Sequence, residues 1–330
     1  MKFRTLIVLM SFAFSTKAQH AYFSSLNQNL LSVNPAFAGT NKQLRVQAIT
    51  GTTGMPKYGG RDVQSYYAGI DCLAKKYSGF GLSFSTSTYG EVLKRTQADF
   101  SYSLHFTAKN KIKIVHAYQV SYFEYKYDQT KLNFGEYKLN PHDAFAWGPE
   151  VPRVIYKRNA DFSTGLLVYG KKFYAGITLL SLTQPDEGVI GVSKRPLTQI
   201  YQGRYRFLSE IKFNIDLYGL GKLQKEYKIN KNGYSSRAVR ESFIQYGTYL
   251  NYKTLSVHFA HQLNEISDYD AFIAGIALNG KGFKMGCNTK INYSTHLSNY
   301  EFYELYLQYA FGRNKKADKE IPDDTIRLID

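Results

Sequence analysis

Side-chain character along most of this chain changes every second residue, and that period is the strongest constraint on its fold. In the segment 212–219, Phe213, Ile215 and Leu217 alternate with Lys212, Asn214 and Asp216. Leu255, Val257 and Phe259 alternate with Ser256, His258 and Ala260, and Phe272, Ala274, Ile276 and Leu278 share one face of 271–278. Near the C-terminus, Tyr303, Leu305, Leu307, Tyr309 and Phe311 stand opposite Glu304, Tyr306 and Gln308. A helix cannot keep such residues on one side, whereas a strand with one apolar face does so automatically. Fourteen strands are expected, at 43–50, 63–73, 78–87, 96–107, 112–125, 160–168, 172–181, 197–207, 211–222, 241–251, 254–262, 269–278, 282–293 and 300–311. A length near ten residues matches a tilted strand that crosses a membrane.

The connections sharpen this reading. After even-numbered strands they are tight: Ala108-Lys109-Asn110-Lys111, Tyr169-Gly170-Lys171, Tyr252-Lys253 and Asn279-Gly280-Lys281. Asn and Gly there suit hairpin turns. After odd-numbered strands most are longer, at 51–62, 126–159, 182–196 and 223–240, while 263–268 and 294–299 are short. A soluble β-sandwich would also alternate, but it has no need for one row of loops to be shorter than the other. The expected fold is all-β: a transmembrane outer-membrane antiparallel β-barrel with long extracellular loops and short periplasmic turns. An even strand number places both chain ends in the periplasm.

The N-terminus fits export. Lys2 and Arg4 precede an apolar run from Leu6 to Phe14, and small residues lead to Ala18. This is the layout of a secretory signal, and the run is too short for a spanning helix. The expected organisation is a signal peptide at 1–18, an N-terminal periplasmic segment at 19–42, the barrel at 43–312 and a charge-mixed periplasmic tail at 313–330. Aromatic residues make up 16% of the chain, with 29 Tyr and 22 Phe. Aromatic girdles at two membrane interfaces account for that excess. Loss of Lys2, Arg4 and Lys17 with the signal takes the formal net charge from +16 to +13. Export argues against nucleic acid as the partner of this charge, which leaves anionic lipid head groups, an acidic protein surface or general solubility. Cys72 and Cys287 fall on apolar faces of the second and thirteenth strands and are read as free, lipid-facing residues.

Motifs for catalysis are missing. There is no Cys-x-x-Cys, no His-Glu-x-x-His and no Gly-x-Ser-x-Gly elbow, and Gly219-x-Gly221 lacks the rest of a nucleotide fingerprint. His258 and His261 fall on opposite faces of one strand and make poor joint ligands. The expectation is a protein that is not an enzyme and holds no cofactor or metal. Candidate binding features remain. Phe145 and Trp147, the latter the only Trp, stand in the 126–159 loop, either as a partner anchor or as the loop's own core. Lys212 and Asp216 are expected to face the lumen.

The mature start reads Gln19-His20-Ala21-Tyr22-Phe23-Ser24, followed by Asn34-Pro35-Ala36-Phe37-Ala38-Gly39. Together with Asp161–Gly165 leading into Phe173–Ile177, Ser181–Pro185, Ala271–Gly286 and the closing Tyr303–Gly312, these residues resemble the PorP/SprF family of type IX secretion system membrane proteins. Family members more often carry Asp-Pro where this chain has His20-Ala21. Asn34 and Pro35 are turn formers, and Gly39 permits a tight bend before the first strand. Asn34, Pro35, Ala36 and Gly39 are therefore read as a structural motif that seals the periplasmic mouth or starts the barrel, ahead of a direct substrate contact. The resemblance implies a non-enzymatic component of the type IX secretion and gliding machinery, resident in the outer membrane of a Bacteroidetes-type Gram-negative cell. Its implied partners are secreted cargo with a C-terminal sorting domain, periplasmic ring and peptidoglycan-linked components, and outer-membrane lipid. The alternative is a passive porin or small-solute transporter, with Lys212 and Asp216 tuning selectivity.

Overall fold

The computed structural model describes residues 23, 28–54, 63–75, 77–108, 112–131, 154–188, 193–209, 213–224, 228–229, 236–237, 242–264, 270–293 and 301–311. Fourteen strands form a closed antiparallel barrel. They are β1 (Leu44–Gly54), β2 (Val63–Lys75), β3 (Ser78–Tyr89), β4 (Leu93–Thr107), β5 (Lys113–Asp128), β6 (Val154–Tyr169), β7 (Phe173–Leu180), β8 (Thr198–Ser209) and β9 (Phe213–Gln224). After a small ribbon of β10 (Lys228–Ile229) and β11 (Ser236–Arg237) come β12 (Phe243–Tyr252), β13 (Leu255–Asn264), β14 (Asp270–Asn279), β15 (Phe283–Tyr293) and β16 (Glu301–Phe311). Each wall strand pairs with its neighbour in sequence order, β12 following β9. The first and last strands then pair with each other, from Leu44 opposite Phe311 to Gly54 opposite Glu301. That seam removes the last free edge, which hydrocarbon would not tolerate.

The two faces separate cleanly. Phe80, Leu82, Phe84, Phe100, Val120, Phe162, Leu217, Phe259, Phe272, Ile276, Leu305 and Leu307 point outward as large exposed apolar side chains. Between them the inward residues are polar or small, such as Ser83, Ser101, Ser103, Gln119, Asp216, His258, Asn288 and Glu304, all buried. An apolar belt outside and a polar interior are what a barrel in a bilayer requires. No helix among the described residues is long and apolar enough to cross a membrane. Cys72 and Cys287 are free, as expected.

The strands run longer than the alternation indicates at the loop end of β3 to β6. The connection from β3 to β4 is only a short turn at Gly90, where φ is +56°. β5 continues to Asp128 and β6 begins at Val154, paired residue for residue from Lys113↔Tyr169 to Asp128↔Val154. The sequence pattern hides this because its polarity inverts there. Phe123 and Tyr125 point inward and are buried, while Glu124 and Arg158 pair on the outside at 2.6 Å. Charged residues on the outer face mark where this wall leaves the hydrocarbon. The wall therefore rises beyond β7, which has only eight residues.

Leu305 lies in the middle of β16 on the lipid face and is 61% exposed. Leu305→Arg is expected to cost about 2–4 kcal/mol, the penalty of a cation near the bilayer midplane. Reversible denaturant unfolding in lipid vesicles measures this, and a change within experimental error would place Leu305 outside the bilayer.

Candidate functional site: a chain segment folded into the lumen

The inner wall of β3 to β7 carries glycines where a barrel interior would ordinarily present side chains. Gly79 and Gly81 on β3, Gly165 on β6 and Gly176 on β7 all face the lumen. The space is taken by the chain preceding β1. Residues 28–40 fold inside the barrel as a helical turn α1 (Leu30–Val33) followed by a 3-10 turn at Pro35–Phe37. A Cβ on Gly165 would collide with the Asn34 carboxamide oxygen. One on Gly176 would lie 2.9 Å from Asn34 Nδ2, and one on Gly81 would lie 3.0 Å from Leu31 Cδ1. The glycines thus form a seat cut to the shape of the segment.

Asn34 organises the turn. Its side-chain oxygen accepts a hydrogen bond from the Ala36 N–H at 2.9 Å, capping the 3-10 turn, and its Nδ2 donates to Leu166 O on the wall at 3.2 Å. Pro35 fixes φ at the first helical position. This places Phe37 in a cluster with Leu30, Ala36, Val115, Ala117, Leu167, Tyr169 and Tyr174. Its ring meets Tyr174 edge to face, with centroids 5.4 Å apart. Val33 clusters with Leu180, Ile200 and Leu220 on the adjoining wall of β7 to β9. Phe23 joins Ile49, Tyr67, Ala277 and Tyr306. The segment therefore reaches across the lumen rather than lining one side of it.

The exit of the segment is fastened by buried charge. Asp71 on β2 accepts from Arg45 Nε at 2.6 Å and from the Gly39 N–H at 2.9 Å. The Arg45 guanidinium also donates to Phe37 O at 3.4 Å. Both side chains are only 3% exposed, so each charge depends on the other. Gly39 has φ of +72°, and an added Cβ would meet Gly79 Cα at 2.9 Å, so both conformation and space require glycine. Ser103 Oγ donates to Ala38 O at 2.8 Å, and His105 Nε2 lies 3.0 Å from the same oxygen.

Of the sequence candidates, Asn34, Pro35, Ala36 and Gly39 lie together in this lumenal turn. Asp216 is fully buried and faces the lumen, bound to Arg204 and to Arg206 Nε at 2.9 Å. Lys212, Phe145 and Trp147 lie outside the described residues. The sequence reading missed Arg45, Asp71, His105 and the inward glycines. Gly79 and Gly81 sit two apart and opposite the outward Phe80 and Leu82, a signal that something other than side chains fills the inner face.

Above the segment, the connection after β7 folds back onto β6. Leu182 N donates to Phe162 O at 2.9 Å and Thr183 Oγ1 to Asp161 at 2.6 Å. Arg195 lies buried between Asp161 and Glu187 and over the Phe123 ring. Backbone N–H groups of Ser193 and Gly188, with Lys157, hold the Asp186 carboxyl below the usual carboxylate range, whereas burial pushes Glu187 up. Among the described residues no cluster of His, Cys, Asp or Glu could hold a metal ion.

Phe37→Ala should cost about 3–5 kcal/mol of segment docking, as for other buried aromatics. Gly165→Val should expel the segment while leaving the wall strands paired. Limited proteolysis of the purified barrel reads both outcomes. The wild-type segment should resist cleavage between residues 28 and 40, and equal resistance in Gly165→Val would contradict the docking geometry.

Solved structures similar to this chain include two barrels. The Ralstonia pickettii toluene transporter TbuX superposes with a TM-score of 0.51 at 9% identity, covering 86% of this chain and 93% of that one. The CymD monoaromatic hydrocarbon channel gives 0.54 at 9% identity, covering 89% and 95%. At such identity the likeness is one of fold, that of an outer-membrane barrel. No curated protein matches the sequence. The family described as type IX secretion system membrane protein PorP/SprF matches residues 15–309, nearly the whole chain, and with the barrel this places the protein in the Gram-negative outer membrane as a member of that family.

Proposed function

We propose that this barrel is a non-enzymatic component of the type IX secretion machinery that binds secreted proteins carrying a C-terminal sorting domain and supports their export or surface attachment. The observation that carries this reading is the family match over residues 15–309. The Asn34-Pro35-Ala36 turn supports it: residues 28–40 occupy the lumen, which leaves the barrel's ends and outer surface to meet partners. Under this reading the loop end, with its raised β4–β6 wall and the loop bearing Phe145 and Trp147, receives cargo. The tight turns and the tail face periplasmic ring and peptidoglycan-linked components. Deletion of the gene, followed by comparison of secreted and surface-displayed proteins, tests the proposal. At least one sorting-domain protein should lose export or surface display, and an unchanged set would overturn it.

The two similar barrels are described as a transporter and a channel for aromatic hydrocarbons, so solute passage is the second reading. The lumenal segment weighs against it, because Phe37, Val33 and Phe23 each pack on a different part of the wall. Purified protein in planar bilayers should show no stable open conductance. A persistent single-channel current would favour the transporter.

A further inference from the structure

Charge is distributed unequally between the two ends of the barrel. At the loop end cations and acids are mixed, and pairs such as Arg158–Glu124, Lys157–Asp186 and Lys131–Glu91 stand within 2.6, 3.0 and 4.0 Å. At the tight-turn end, Lys172, Lys253 and Lys281 sit in the turns before β7, β13 and β15 and are exposed. The acids nearest that end among the described residues are Asp71 and Asp216, and both are buried against arginines. The other three tight connections also carry lysine in the sequence: Lys75 and Lys76, Lys109 and Lys111, and Lys212, the last with Glu210 nearby. In sequence, lysine thus recurs in every short connection between paired strands on this side.

The level of Lys172, Lys253 and Lys281 is fixed by the aromatics beside them. Phe106, Phe173, Phe207, Tyr252, Tyr309 and Phe311 are exposed on the outer face within a few residues of the turns. Aromatic side chains at that position mark the boundary between hydrocarbon and head groups. Lys253 shows which way one ammonium points: its Nζ lies 5.4 Å from the centroid of the outward Tyr252 ring. An ammonium on the outer surface at the aromatic girdle stands at the height of lipid phosphates.

We propose that the tight-turn rim is a binding surface for anionic phospholipid head groups of the periplasmic leaflet. The surrounding bilayer supplies the phosphates at that height, and the rim's own exposed surface offers them cations with no exposed acid among the described residues. Recognition is electrostatic, so it weakens as salt shortens the screening length from about 10 Å at 0.1 M to about 3 Å at 1 M. The proposal stands apart from the secretion reading and does not depend on cargo.

The test compares thermal unfolding of the full-length barrel in nanodiscs of phosphatidylcholine alone and of phosphatidylcholine with phosphatidylglycerol. The melting temperature should rise by several degrees with phosphatidylglycerol at low salt, and the rise should vanish in 1 M NaCl. The triple variant Lys172→Gln, Lys253→Gln, Lys281→Gln should lose most of the rise, while its melting temperature in phosphatidylcholine matches wild type and reports an intact fold. Lys284→Gln, which alters an inward residue above the Tyr249 and Tyr306 rings, should keep it. Equal melting temperatures in both lipids, or an undiminished rise in the triple variant, would overturn the proposal. So would loss of a co-purifying acidic periplasmic protein in that variant without any lipid effect, which would assign the rim to a protein partner.

Discussion

A strand edge left open in hydrocarbon strands its backbone donors and acceptors without partners, and this single constraint organises the molecule. It forces β1 onto β16 along their whole length, from Leu44↔Phe311 to Gly54↔Glu301. Closure brings the start of the wall to the tight-turn end, and Thr40, just ahead of it, is already buried within the mouth. The chain before β1 therefore emerges directly beneath the lumen. The inner wall accommodates it with glycine on β3, β6 and β7 and fastens it with the Arg45–Asp71 pair. Barrel closure and lumenal docking are two consequences of the same seam.

Buried polar pairs join the apolar clusters in holding the interior. Asp71 serves both the wall and the segment, since it binds Arg45 and the Gly39 N–H together. Asp216 plays a comparable part under Arg204 and Arg206 on the far wall, and Arg195 bridges Asp161 and Glu187 above. Removing one member of such a pair leaves an uncompensated charge in a site shielded from water, which is far costlier than the pair itself is stabilising. A lumen wired in this way already has residues 28–40 as its occupant. That suits a protein whose working surfaces lie at its ends and outer face better than one that passes solutes through its centre.

Much of the wall was legible because the bilayer imposes a simple rule on it. Wherever the outer face meets lipid, as at Leu305 or Phe272, apolar residues recur at every second position, and strand number and order follow. The rule fails at two places for physical reasons. Above the membrane on β5 and β6 the outer face meets water, so Phe123 and Tyr125 turn inward while Glu124 turns outward, and β5 beyond residue 125 and β6 before residue 160 read as loop. Inside the barrel, a polar face looks the same in sequence whether it meets water or protein, so the partners of Asp71 and His105 carried no signal. The Asn34-Pro35-Ala36 turn was visible as a turn, and its motif tied the chain to its family. Its position within the lumen depends on contacts more than a hundred residues away, such as Asn34 with Leu166, which local pattern cannot supply.

A disulfide between residue 38 and the wall reports whether residues 28–40 lie within the closed barrel. A Cβ built on Gly81 lies 3.4 Å from Ala38 Cβ, near the lower end of the separation a disulfide spans, and its tighter neighbours, the Leu31 methyls at 3.0 and 3.2 Å, are the far end of a side chain that can give by a few tenths of an ångström, unlike the collision at Gly165. In a background of Cys72→Ser and Cys287→Ser, the pair Ala38→Cys and Gly81→Cys should oxidise within a single chain. The bond would be read by mass spectrometry of the joined peptides after digestion of protein extracted from outer membranes. Folded protein should cross-link almost completely, and a control cysteine at the outward Leu82 should not cross-link at all. Failure of Ala38→Cys to pair with Gly81→Cys in a folded barrel would contradict the placement of residues 28–40 within it.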